Sequence, residues 1–211
     1  MAKYIKICGI NSDIAMAAAL DAGATHVGLV HYEPSPRHVA LLDAGRLRAM
    51  ARGRAKVVLL LVNATIETTA QALDAVKPDV VQFHGTETPG WVGLVRAKMY
   101  LEVWKALGIT DMDALDYSRR YDGFVDRMLY DAPATSMPGG TGTSFDWSLL
   151  SRYDHTVPWG LAGGLTPSNV ADAIAQTGAE LVDTSSGVES APGVKDADLI
   201  HRFCEAARSA A

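Results

Sequence analysis

Cysteine is scarce: Cys8 and Cys204 are the two in 211 residues, and they stand near opposite ends of the chain. That count excludes a disulfide-stapled secreted scaffold, and the pair reads as free thiols. Positive charge is also short. Nineteen Lys and Arg face 24 Asp and Glu, a formal net charge of -5, and no Lys/Arg run offers a footprint for a phosphate backbone, so no nucleic-acid partner is expected. The longest apolar run, VVLLLV at 57–62, is far too short to span a bilayer, and no secretory apolar region opens the chain. No membrane partner is expected, and the cytoplasm is the expected compartment. His and Cys are scattered, with no C-x-x-C or H-x-x-x-H spacing, so no metal site is expected. KICGIN lacks the G-x-G-x-x-G spacing of a dinucleotide turn.

What is present is an alternation. Apolar or β-branched runs occur at 3–8, 26–30, 56–62, 79–84, 100–107, 127–131, 158–163 and 180–185, which makes eight candidate strands. Most precede a segment with helical periodicity, such as DIAMAAALDAGA, TIETTAQALDAV and KDADLIHRFCEAARSA; the signals after strands four, five and six are the weakest. Alternating strands and helices argue for a parallel sheet. Eight units of about 26 residues fit a closed (β/α)8 barrel better than an open doubly wound sheet. With 48% hydrophobic residues the chain can bury a substantial core. The expectation is an α/β fold, a single (β/α)8 TIM barrel domain over 1–211.

In such a barrel the C-terminal strand ends share one rim, where the chemistry sits. They carry Cys8 after strand one, His84 after four, Asp131 after six, Gly163 and Gly164 after seven, and Ser185, Ser186 and Gly187 after eight. The stretch ATSMPGGTGTS behind Asp131 reads as a loop over the mouth, its glycines, Gly142 among them, allowing open and closed forms. AGGLTPSNV sets a glycine pair ahead of a helix expected to open at Thr166 or Pro167, and DTSSGVES repeats a small hydroxyl-rich turn one strand later. Backbone N–H groups at such turns bind phosphate without a lysine, and barrels hold phosphate between the loops after strands seven and eight. The other rim residues stay open on this evidence. Cys8 could be a small apolar filler or an activated thiol, Asp131 a turn-capping carboxylate or an acid, and His84 a ligand contact or a structural histidine. Cys204, within an amphipathic helix, reads as packing.

KICGI at 6–10, GLVHYEPSPRHV at 28–39, VQFHG at 81–85, YDAP followed by GGTGTSFDW at 139–147, AGGLTPSNV at 162–170 and SSGVESAPGVKD at 185–196 occur in this order over nearly the whole chain. Together they resemble the phosphoribosylanthranilate isomerases of tryptophan biosynthesis. The resemblance implies a cofactor-free barrel that catalyses an Amadori rearrangement of N-(5-phosphoribosyl)anthranilate to 1-(2-carboxyphenylamino)-1-deoxyribulose 5-phosphate. It implies Asp131 as general acid at the furanose oxygen and Cys8 as general base at C2. It also implies Arg37 facing the anthranilate carboxylate, with Gly163, Gly164, Ser185, Ser186 and Gly187 in phosphate-binding turns. The implied partner is the small phosphosugar-anthranilate substrate; association with other tryptophan-pathway enzymes is left open.

Thr143-Ser144 and Phe83 depart from residues common in that family, and Asn11 stands where threonine is frequent, in a position to cap a helix. None of these touches the acid-base pair. Cys8 itself discriminates against the related aminoaldose isomerase of histidine biosynthesis, which resembles a two-aspartate arrangement.

Overall fold

A computed structural model describes residues 2–133 and 145–210. Eight strands close into one barrel in chain order: β1 (Tyr4–Cys8), β2 (His26–His31), β3 (Lys56–Leu61), β4 (Val80–Phe83), β5 (Glu102–Gly108), β6 (Arg127–Asp131), β7 (Trp159–Leu161) and β8 (Leu181–Thr184). All neighbouring pairs are parallel, and β8 returns to β1 with Lys6 opposite Asp183. The near-continuous apolar runs follow from this architecture, because each strand is covered on both faces. Every predicted strand is found within two residues of its expected ends.

The helices are α1 (Asp13–Asp21), α2 (Leu41–Ala51), α3 (Ile66–Val76), α4 (Pro89–Lys98), α5 (Met112–Ser118), α6 (Ser148–Ser151), α7 (Val170–Thr177) and α8 (Ala197–Ser209). The weak signals after strands four to six have a physical origin. α4 carries two glycines, and α5 and α6 are two turns and one turn long, too short for a 3.6-residue period to repeat. Their starts rest on local chemistry instead: Thr88 and Asp111 accept from the N–H groups of Trp91 and Ala114 at the N-termini of α4 and α5. Two expectations are corrected. Ser12, not Asn11, caps α1, while Asn11 donates to the Gly193 carbonyl at 3.1 Å. α7 opens at Val170, not at Thr166 or Pro167, because Asn169 turns back onto the preceding loop, accepting from Thr166 N–H and donating to Gly164 O.

Alternation along the strands sorts the core into two compartments. Outward residues such as Ile7, Leu29 and Leu59 pack against the helices. Val58, Val80, Trp104, Ala106, Leu129, Ala162 and Leu181 fill the barrel interior, and Cys8, Val30 and Leu60 form a separate apolar group. Among the described residues three lysine side chains are fully buried beside acids: Lys6 with Asp183 at 2.8 Å, Lys105 with Glu87 at 3.3 Å and Lys195 with Glu189 at 2.7 Å. Removing one partner of such a pair would strand a charge at a cost of about 3–5 kcal/mol.

Between β8 and α8 lies an unforeseen two-stranded antiparallel hairpin, β9 (Glu189–Ala191) with β10 (Val194–Lys195), preceded by a single 3-10 turn over Ser186–Val188. No helix among the described residues is long and apolar enough to cross a membrane.

Candidate functional site

Cys8 ends β1 pointing the same way as Lys6 two residues earlier, and it is 6% exposed. Across from it on β2 stands Gly28, and a β-carbon there would lie 2.7 Å from Sγ. Burial pushes the thiol above its ordinary range; the ammonium groups of Lys6 and Lys195 pull the other way.

Asp131 ends β6 and is equally secluded. Its Oδ1 accepts from Ala132 N–H at 2.8 Å, and its Oδ2 lies 3.3 Å from Nε2 of His84, which follows β4. Both residues line one cavity together with Cys8. Its apolar wall is Val30, Tyr32, Leu60 and Val62.

A second cavity is lined by the turns after β7 and β8: Gly163, Gly164, Leu165, Ser185, Ser186 and Gly187. Gly163 and Gly164 have φ of +84° and +65°, left-handed values that favour glycine. The two turns are pinned together where Thr184 Oγ1 donates to Leu165 O at 2.7 Å, and a β-carbon on Gly187 would stand 1.9 Å from that same oxygen. Asp131, Asp183 and Ser185 line both cavities, so the acid, the thiol and the glycine turns border one continuous trough.

The trough thus brings together Cys8, Asp131, His84, Arg37, Gly163, Gly164, Ser185, Ser186 and Gly187. Gly142 and the loop expected to close over the mouth lie outside the described residues. Arg37 is engaged differently from expectation. The edge formed by its Nε and Nη2 already holds Glu189, at 2.8 and 2.7 Å, which leaves the Nη1 side for a ligand.

Sequence reasoning missed four groups here. Gln82 is fully buried, lines the larger cavity, and has no partner for either amide atom among the described residues; Asp183 Oδ1 is likewise unpaired among them. Both had a readable signal, a lone polar residue at an inward position of an apolar strand, in VVQF and LVDT. Glu189 and Lys195 lie within SSGVESAPGVKD, but the hairpin that gives them their contacts is invisible to periodicity.

A sequence profile described as N-(5'phosphoribosyl)anthranilate (PRA) isomerase matches residues 5–206. The chain belongs to this family. It is therefore an isomerase, as the motif resemblance implies. Among relatives, it is 60% identical over 206 residues to the N-(5'-phosphoribosyl)anthranilate isomerase of Erythrobacter litoralis, covering 98% of this chain and 99% of that one. Among solved structures, the family member from Thermotoga maritima superposes with a TM-score of 0.90 at 32% identity, covering 99% of each chain. Another family structure, in complex with reduced 1-(o-carboxyphenylamino)-1-deoxyribulose 5-phosphate, superposes with a TM-score of 0.84 at 31% identity and 99% coverage of each.

Proposed function

We propose that the chain converts N-(5'-phosphoribosyl)anthranilate into 1-(2-carboxyphenylamino)-1-deoxyribulose 5-phosphate, a step of tryptophan biosynthesis, with Asp131 as general acid and Cys8 as general base. The observation that carries this reading is a single trough bordered by a carboxyl, a thiol and two glycine turns, each on a different strand end. Rigid strand ends suit acid-base work because they hold two groups on opposite sides of one sugar.

The substrate's phosphate lies at the turns of Gly163–Gly164 and Ser185–Gly187, where backbone N–H groups meet it. Its anthranilate ring lies along the apolar wall, with the carboxylate toward Arg37. Asp131 donates a proton to the furanose oxygen as the C1–O bond breaks, and the nitrogen lone pair forms the C1=N iminium. Cys8 thiolate then takes the C2 proton, and that electron pair makes the C1=C2 enolamine as the nitrogen regains its lone pair. Tautomerisation, with a proton added at C1 and the enol proton lost, gives the ketone, so substrate and product remain isomers. His84, 3.3 Å from Asp131 Oδ2, is placed to return a proton to the acid between turnovers. Lys6 and Lys195 favour the thiolate against the burial that disfavours it.

The test is turnover by purified protein. Loss of the fluorescence of phosphoribosylanthranilate, with the aminoketose phosphate formed in equal amount, is the expected result. No loss beyond the uncatalysed rate, in a folded sample, would exclude the activity.

A further inference from the structure

Arg37 is not a free side chain. Its guanidinium meets the Glu189 carboxylate through two hydrogen bonds of 2.8 and 2.7 Å, and the two side chains are only 11% and 4% exposed. Glu189 is itself held. Lys195, wholly buried, donates to Glu189 Oε1 at 2.7 Å and also to Ser185 O at 2.9 Å and Ser185 Oγ at 3.2 Å. Gly193 N–H, in the tip of the hairpin, reaches Glu189 Oε2 at 3.3 Å. The hairpin is pressed against the loop that bears the arginine: a β-carbon on Gly193 would stand 2.3 Å from Pro36 O, and one on Gly9 would stand 2.7 Å from Arg37 Cδ. Burial opposes the charge on Glu189, yet Arg37 and Lys195 hold its carboxyl below the usual range.

We infer that Glu189, braced by Lys195, is a positioning residue that aims Arg37 at the carboxylate end of the substrate and so sets the preference for a carboxylated aromatic amine. This rests on the reading that Arg37 meets that carboxylate. Coulomb's law alone points the opposite way. An acid between two cations weakens their pull on an anionic ligand, so its loss should tighten binding if charge were its only effect. Fixing the fork has the reverse consequence. An unrestrained arginine must give up rotamer freedom when a ligand binds, and its planar fork rewards the carboxylate only in one orientation. With its Nε and Nη2 edge anchored on Glu189, the guanidinium of Arg37, a residue that lines the trough, is held in place before any ligand arrives.

Two probes separate these effects: the reduced product analogue with its ring carboxylate, and the same compound with a plain phenyl ring. The preference is the ratio of their affinities, measured by calorimetry on the parent, Arg37→Gln, Glu189→Gln and Glu189→Asp. Glu189→Asp keeps the negative charge between Arg37 and Lys195 but retracts it by one methylene, so it changes aim without stranding two buried cations should Glu189→Gln not fold. The expected result is that each Glu189 variant loses about tenfold or more of the preference, as loss of an oriented charge-assisted hydrogen bond implies. In turnover the loss falls on KM before kcat. Glu189 variants that keep the parent's preference, or a Glu189→Gln that binds the carboxylated analogue more tightly, would overturn the inference while Arg37→Gln still loses it. An Arg37→Gln that keeps the preference would instead remove the arginine from the carboxylate, and the role of Glu189 with it.

Discussion

Cys8 Sγ occupies the space that a side chain at Gly28 would need. The two residues are register partners across β1 and β2, and a β-carbon on Gly28 would come within 2.7 Å of Sγ and 3.0 Å of Cys8 Cα. Glycine in a strand interior is a weakness by propensity alone, so its place here is explained by the thiol it accommodates.

Gly28→Ala therefore displaces the thiol without changing its chemistry. We expect kcat to fall at least tenfold, since misplacing a catalytic group by an ångström is costly, while the reduced analogue binds within about tenfold of the parent. Steady-state kinetics with analogue calorimetry checks this; unchanged kcat would mean that the position of Sγ does not matter to turnover.

Gly187→Ala tests the phosphate turns. The added methyl would stand 1.9 Å from Leu165 O, a backbone atom that cannot swing aside, so the turns after β7 and β8 must separate. If these turns hold phosphate in ground and transition state alike, KM should rise about tenfold or more with kcat changed far less. A parent-like KM in a folded variant would move the phosphate elsewhere.

The strands and the rim were legible because they rest on composition over short runs and on the rule that a barrel gathers its strand ends. Cys8, His84, Asp131 and the two glycine turns could be named on that ground. What escaped depends on contacts between distant segments. The bond of Arg37 to Glu189 joins residues 152 apart, and Lys6 meets Asp183 across 177. No periodicity records either. The start of α7 escaped for a related reason: Pro167 is a good first helical residue, but Asn169 turns its side chain onto Gly164 and Thr166, which shapes the turn after β7 and delays the helix.

His26 gives the fold a pH dependence. It starts β2 at 5% exposure, its Nδ1 is 2.9 Å from Thr25 Oγ1, and its ring meets Trp104 at 5.3 Å. Burial, aided by Lys56 and Lys6, lowers its pKa from 6.5 to about 4. The folded protein thus keeps the ring neutral where the unfolded chain protonates it. The resulting stability is complete above 6.5 and is lost as pH falls to about 4, a contribution of about 3 kcal/mol. His26→Phe removes that titration, so the stability gap between parent and variant should shift in favour of the variant across this window. Urea unfolding at pH 7, 5.5 and 4 measures it, and a gap independent of pH would refute the assignment.

Whether Asp131 and Cys8 act as acid and base on one bound sugar is decided by kcat of Asp131→Asn, Cys8→Ala and the double variant, read beside binding of the reduced analogue. Each single change should lower kcat by about 10²–10⁴-fold with analogue affinity within about tenfold of the parent. The double variant should lose far less than the product of the two losses, because both groups serve one reaction sequence. Near-parent turnover by Cys8→Ala, with Asp131→Asn inactive, would contradict the account and leave Cys8 as packing against Gly28.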